Sequence, residues 1–152
     1  MELQDIAAIS GKSGLYKILK PTRTGVIVES IDAHKKRIVV GGNARVSVLK
    51  DVSIYTTDAD GSVPLEEVLY KIKKEFGDDP GVESTSSSDE LEAFMKHVLP
   101  NYDAERVYPS DMKKLVMWYY ILQKEVPEIL EKKEETSEKK EQSEKEEDEK
   151  EN

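Results

Sequence analysis

The spacing of apolar residues changes at Val63, and this change limits the folds that the chain can adopt. Before Val63, the residues within short β-branched-rich runs follow a two-residue period, most clearly in residues 25–31. After it, residues 65–76 carry leucine, valine and isoleucine at helical spacing. A two-residue period is typical of strands and a 3.6-residue period of amphipathic helices. The sequence therefore predicts an α+β protein, with strands in residues 1–62 and helices in residues 63–127.

The strand-rich half is predicted to form a small antiparallel barrel. Turn residues separate its apolar runs, and such short links favour a meander of neighbouring strands. Closing these strands into an SH3-like barrel would remove exposed sheet edges, and a curled open sheet is the alternative. Strands are predicted at residues 15–20, 25–31, 37–40, 45–49 and 53–57, with a helical turn at 47–51 and a short N-terminal helix over Leu3, Ile6, Ala7 and Ile9.

Start and stop residues predict three helices in the second half. Ser87 followed by Glu90 is a capping-box pattern that marks the start of the second helix. The third helix, which Ser110 would cap, is apolar over more than one stripe, as in helices packed on two sides. We therefore expect it to form an antiparallel hairpin with the second. The helices are predicted at residues 64–76, 87–99 and 110–125, with a serine-rich linker near 82–88.

The end of the chain has no apolar period. Residues 128–152 contain 12 acidic and 6 basic residues, and Ile129 and Leu130 are their large apolar residues. Such a segment buries too little surface to offset the entropy cost of ordering it. We expect a disordered Glu/Lys-rich tail over residues 128–152. It carries −6 of the formal net charge of −9, whereas residues 1–62 carry +2, so the acidic pI does not exclude a basic surface on the barrel.

Few residues point to catalysis or to a bound cofactor. Cysteine is absent, and His34 and His97 lie far apart in the sequence, so we expect no metal site. The run Gly11-Lys12-Ser13 lacks the earlier glycine of a phosphate-binding loop. The chain contains neither an apolar run of about 20 residues nor the pattern of a secretory signal. These features predict a cytoplasmic protein that is not an enzyme. We expect it to bind no membrane, no metal and no small-molecule cofactor.

Two groups of residues are candidates for binding a partner. Basic residues in the turns of the predicted barrel could form a positive rim for phosphate groups. Aromatic residues around the third helix either complete the core or form a protein interface, because tyrosine and tryptophan are enriched at interfaces. The candidates for nucleic-acid binding are Lys12, Lys35, Lys36, Arg37 and Arg45, and those for a protein interface are Tyr108, Trp118 and Tyr120.

The body of the chain resembles a bacterial family of small proteins of the Bacteroidota that carry a domain of unknown function. The resemblance rests on residues 9–17, 25–30 and 49–56, on Val63-Pro64-Leu65 at the start of a helix, and on residues 108–122. It covers roughly residues 1–125 and implies no catalytic residues. We therefore expect a non-enzymatic binding module that docks through the basic rim onto RNA or an assembly such as the ribosome. The alternative is a protein–protein adaptor that uses residues 110–125.

Overall fold

The α+β prediction is confirmed by the computed structural model, which describes residues 1–131. A five-stranded antiparallel sheet precedes a two-stranded ladder, and three α-helices follow. The strands are β1 (Ile6–Ile9), β2 (Tyr16–Pro21), β3 (Gly25–Ser30), β4 (Arg37–Gly41), β5 (Val46–Val48), β6 (Ser53–Tyr55) and β7 (Ser62–Pro64). The α-helices are α1 (Leu65–Phe76), α2 (Ser88–Val98) and α3 (Pro109–Glu125), and 3-10 turns cover Leu3–Asp5, Leu49–Asp51 and Pro127–Leu130.

The predicted N-terminal helix is wrong beyond its first turn. Leu3–Asp5 is a 3-10 turn, but the next four residues form strand β1. This strand pairs with β2 on one side and with β5 on the other. Because both edges of β1 carry ladder hydrogen bonds, extended backbone is favoured over the helix that its apolar spacing suggested. A short apolar run does not distinguish a buried strand from a helix by periodicity alone.

The main sheet has the strand order β4-β3-β2-β1-β5, and its connections require it to curl. Gly41 at the end of β4 and Val46 at the start of β5 are five residues apart, so their Cα atoms lie at most about 18 Å apart. In a flat sheet, four strand spacings alone would separate β4 from β5 by about 19 Å. The register shift between Ile18 and Lys20 in β2 marks an irregularity of the kind that bends a strand.

A small apolar cluster fills the inside of this curled sheet. Ile9, Val28 and Val40 are buried there, and Val46 of β5 packs against them. Strands from both sides of the sheet therefore contribute to one core. Within residues 1–131, however, no ladder joins β4 to β5, so the observed architecture is a five-stranded antiparallel sheet without hydrogen-bonded closure.

Strand β7, the last strand within residues 1–131, was not predicted from the sequence. β7 pairs with β6 in a register that places Ser53 opposite Pro64. Hydrogen bonds lie at both ends of this two-stranded ladder. The Leu65 N–H donates to the Val52 carbonyl, and the Thr56 N–H donates to the Gly61 carbonyl. Ser53 and Pro64 are therefore a pair without mutual hydrogen bonds. Proline is tolerated there because its missing N–H is not needed by the ladder.

The predicted stop at Gly77 and the predicted cap at Ser87 are confirmed, whereas the first helix begins at Leu65, one residue after the predicted Pro64. Gly77 follows α1 with φ of 63°, and the Ser87 hydroxyl caps α2 by accepting from the Glu90 N–H. The predicted Ser110 cap of α3 is wrong, because the helix already begins at Pro109. The Asp111 carboxylate accepts from the N–H of Tyr108, which precedes the helix. Ser110 therefore lies inside the first turn, and Asp111 supplies the N3 carboxylate that accepts from the N-cap N–H in a capping box.

Sheet and helices share a second, larger core. It includes Ile6 and Leu49 from the first half and Leu69, Met95 and Leu122 from the helices. The core also continues past the predicted end of the folded body at residue 127. Leu130 is 1% exposed and Ile129 packs against the core. The folded part therefore includes the start of the predicted tail; residues 132–152 lie outside the described residues, and their disorder stays a prediction.

Candidate binding cavity and basic end of the sheet

A surface cavity of about 170 Å³ lies between β6 and α3. Its apolar lining comes from residues that are adjacent only after folding, since β6, α1, α2 and α3 all contribute. The half-buried Trp118 forms one wall, and Ile54 of β6 also lines the space. The remaining apolar lining is Val52, Leu65, Met95, Val107, Met112 and Leu115. The cavity is therefore an extension of the main core that opens at the surface.

Strand β6 borders this cavity with an edge that is only partly covered. Its ladder with β7 uses the backbone of Val52, Ile54 and Thr56, so the backbone groups of Ser53 and Tyr55 point to the other side. The Tyr55 carbonyl accepts from the N–H of Asp103 at 2.9 Å. Three of the outward groups have no hydrogen-bond partner within residues 1–131: the Ser53 N–H, the Ser53 carbonyl and the Tyr55 N–H.

The Asp58 side chain links the turn after β6 to the loop that begins at residue 101. Its carboxylate accepts from the Thr56 hydroxyl at 2.7 Å, from the Gly61 N–H at 3.2 Å and from the Asn101 side-chain amide at 2.8 Å. The Thr56 hydroxyl makes the largest contribution to lowering the pKa of Asp58. Because the carboxylate joins the turn after β6 to residue 101, it holds the loop along one end of the strand.

Charged side chains surround the mouth of the cavity. The Arg106 guanidinium lies 5.2 Å from the ring centre of Tyr55, within the range of a cation–π contact. Its Nε is also 3.7 Å from the Asp103 carboxylate. Asp111 lines the mouth while it accepts from the Tyr108 N–H, and Lys114 stands one turn further along α3. Lys114 forms no ion pair within the described part of the chain.

The three predicted interface residues have different environments. Trp118 lines the cavity and is half-buried. Tyr108 is 58% exposed at the start of α3 but is not part of the cavity lining. Tyr120 is half-buried, and its hydroxyl donates to the Val82 carbonyl at 2.8 Å. The structure therefore brings Trp118 into a site and gives Tyr120 a contact that ties the serine-rich loop to α3.

The sheet topology gathers the five predicted nucleic-acid-binding residues at one end. The β1–β2 turn, the β3–β4 loop and the start of β5 all lie there, because these strands alternate in direction. The Ser10 N–H donates to the Arg45 carbonyl at 3.0 Å, which joins the β1–β2 turn to the segment before β5. All five side chains are exposed: Lys12, Lys35, Lys36, Arg37 and Arg45.

Two acidic residues modify the charge of this basic end. Arg37 lies 3.8 Å from the Glu29 carboxylate. The Asp32 carboxylate accepts from the Ser30 hydroxyl and from the N–H groups of two loop residues, one of them Lys35. The Ser30 hydroxyl is the main cause of the lowered pKa of Asp32. This turn holds Lys35 in the left-handed region with φ of 46° and keeps one negative charge among the cations.

The described residues contain neither a metal-ligand cluster nor a membrane-spanning helix. In residues 1–131, no group of three His, Asp or Glu side chains could hold a metal ion. None of the helices in the same range is long and apolar enough to cross a bilayer. His97, the histidine on α2, instead contacts the Glu75 carboxylate at 2.6 Å and the Phe76 ring edge-on.

Sequence reasoning did not find the cavity. No sequence pattern separates Val52, Ile54 and Leu65 from ordinary core residues, or Arg106 and Lys114 from solvated charges. The available signal was the width of the apolar surface of α3, which indicated that something other than α2 covers the helix. That signal does not show where the covering is incomplete, because this depends on how the 101–108 loop packs.

The fold is that of an α+β protein with a curled antiparallel sheet and a layer of helices. Residues 3–49 match the domain of unknown function DUF5606, and residues 52–122 match the domain of unknown function DUF6852. A protein from Bacteroides vulgatus with a solution NMR structure is 42% identical in sequence to this chain. The match covers 79% of this chain and 84% of that protein, with a TM-score of 0.61. No curated protein matches the chain. The chain belongs to the Bacteroidota family of small proteins that the sequence resemblance indicated.

Proposed function

We propose that this protein is a protein-binding module that acts in the cytoplasm, without chemistry of its own, and captures its partner at the cavity between β6 and α3. The observation that carries the proposal is an apolar cavity open at the surface beside a strand edge with free backbone groups. Covering the apolar cavity removes apolar surface from water, and the free backbone groups can pair with the backbone of an added strand. This is the adaptor alternative, with its centre moved from the whole third helix to Trp118.

The wall of the cavity supports this choice over a purely structural role for the aromatic helix. Tyr119, the middle residue of the three consecutive aromatics, is 0% exposed, and its hydroxyl donates to the Gly77 carbonyl. Trp118 lies on another side of the helix and remains half-buried beside the cavity. Tryptophans at such positions are frequent energetic centres of protein interfaces.

Affinity capture from a lysate of the organism that encodes the chain tests the proposal. Trp118→Ala is expected to lose a partner that the unchanged protein retains, and nuclease treatment should leave that capture intact. Val39→Ser is the matched control, because Val39 is 64% exposed on β4, outside the cavity lining. The far-UV spectrum and melting temperature establish that Trp118→Ala is folded. Equal capture by a folded Trp118→Ala protein would contradict the proposal.

A second candidate function, RNA binding, has its own supporting observation. The support for it is that five exposed basic residues share one end of the sheet, where their charges could attract phosphate groups. We further infer that the curled sheet is an open variant of an SH3-like barrel, whose turns would form this rim. The short β4–β5 link supports this reading, because it brings the two outer strands around one core.

Filter binding separates this second function from the first. Lys35→Glu with Lys36→Glu should weaken RNA binding, whereas Lys113→Glu on α3 should not. Binding should also fall steeply between about 50 mM and 200 mM salt, because phosphate contacts release counterions. Absence of measurable RNA affinity at about 50 mM salt would rule out this function and leave the cavity proposal untouched.

A further inference from the structure

We propose that the partner segment is an extended acidic peptide that adds a strand to the open edge of β6. One apolar side chain of the peptide fills the cavity, and a neighbouring aspartate or glutamate faces Arg106 and Lys114. This inference rests on the proposed protein-binding function and specifies the conformation and the charge of what is bound.

The backbone of β6 determines the conformation of the peptide. Ser53 offers one N–H and one carbonyl on the side away from β7, and Tyr55 offers one N–H. This is the hydrogen-bonding pattern that an added strand satisfies, since the outward groups of alternate residues pair with it. A helical partner has no free backbone N–H or carbonyl groups in its interior and would leave these groups of β6 unpaired.

The size of the cavity limits what the peptide inserts. A volume of about 170 Å³ is close to the roughly 150 Å³ of an apolar protein cavity that binds benzene. One phenylalanine, leucine or methionine side chain therefore fills it. Because Ile54 lines the cavity from β6 itself, a side chain from the added strand enters beside it, between the strand and Trp118.

The charges at the mouth favour an acidic segment. Arg106, Lys114 and Asp111 line the cavity, and the Asp111 carboxylate already accepts from the Tyr108 N–H. Arg106 is positioned over Tyr55 and is 65% exposed, so its outer donors face solvent. With Asp103 beside Arg106 these charges balance, but Lys114 has no ion pair within residues 1–131, so an acidic group of the peptide can pair with it.

The end of this chain does not supply such a segment. Residues 131–152 contain no aliphatic or aromatic side chain, so they provide nothing that fills an apolar cavity. Residues 129 and 130 do carry apolar side chains, but Leu130 is already buried in the main core and Ile129 packs against it. Residues 131–152 are therefore not the proposed peptide, which we assign to a partner protein.

Selection from a phage-displayed library of random twelve-residue peptides tests the inference with the full chain as bait. We expect enriched peptides to combine one large apolar residue with an acidic residue one to three positions away. A synthetic copy of an enriched peptide should bind Lys114→Glu about five-fold more weakly, as expected for reversal of one exposed charge. Lys113→Glu is the matched control: it makes the same change at the next residue, outside the cavity lining, and should bind normally.

Amide hydrogen exchange in the complex tests the strand addition itself. The N–H groups of Ser53 and Tyr55 should become protected, and those of β4 should not change. Peptides that depend on Trp118 but lack an acidic preference, or that leave Ser53 and Tyr55 unprotected, would overturn this inference and retain the protein-binding function. Failure of every selected peptide to distinguish the unchanged protein from Trp118→Ala would overturn both.

Discussion

Replacing Leu130 by alanine tests where the folded part of this chain ends. The sequence predicts an unfolded tail from residue 128, in which case Leu130→Ala has no effect on stability. In the structure, Leu130 is 1% exposed and belongs to the main core, where its 3-10 turn packs against α1 and α3. The two descriptions therefore give opposite results for one substitution.

The expected magnitude follows from the burial of the side chain. Leu→Ala in protein cores costs about 2–5 kcal/mol, and the cost is smaller where neighbouring groups can close the space. Leu130 lies near the end of the described chain, so we expect a loss of about 2–3 kcal/mol in the free energy of unfolding. For a slope of about 2 kcal/mol per M urea, the unfolding midpoint falls by about 1–1.5 M.

Urea unfolding followed by circular dichroism measures this loss. Glu128→Ala, in the same turn but exposed, is the control and should change stability by less than about 0.5 kcal/mol. A chain that ends at residue 131 should be as stable as the full chain, and one that ends at residue 127 should be less stable. A Leu130→Ala midpoint equal to that of the unchanged protein would refute the packing of the 3-10 turn.

Three further predictions follow from single contacts. Gly25→Ala should destabilise the sheet by about 2 kcal/mol or more, because the added Cβ collides with the Val40 carbonyl oxygen, whereas Gly41→Ala enters open space and should be tolerated in urea unfolding. Burial, followed by nearby negative charge, raises the pKa of Tyr119 to about 12. The stability from its neutral hydroxyl is complete below pH 10 and is lost as the pH rises towards 12; Tyr119→Phe should remove this alkaline loss and cost about 1–2 kcal/mol at pH 7. The pKa of Asp58 is lowered on folding, so its contribution is present above about pH 4 and disappears on acidification. Asp58→Asn should therefore lower the melting temperature at pH 7 and make it less dependent on pH between 3 and 6.

Features set by neighbouring residues were predicted correctly more often than features set by residues distant in the chain. Gly77 and Ser87 were found correctly because a helix stop and a capping box are read from neighbouring residues. The Ser110 cap was wrong because the helix begins one residue earlier, at Pro109, and its cap position is Tyr108. The strand β1 was missed because its partners, β2 and β5, lie up to about 40 residues away.

Of the two candidate sites, the basic end of the sheet could be predicted from the sequence and the cavity could not. The gathering of basic residues at one end of the sheet followed from a meander, which short turns already indicated. The cavity did not follow, because it is a space left between β6, α3 and the 101–108 loop. Sequence patterns record which residues prefer to be buried, but they do not record how completely the buried surfaces fit.

The sequence by itself determined the fold class, the change from strands to helices at Val63, the two helix ends and the family of the protein. Apart from the family, which rests on resemblance, these properties depend on hydrophobic period, turn residues and capping, which act over a few positions. Only the tertiary structure decided that residues 6–9 are a strand, that Leu130 closes the core, and that β6 keeps an open edge beside Trp118. The physical reason is that burial and strand pairing depend on residues far apart in the chain, whose distances are set by the packing of the whole molecule.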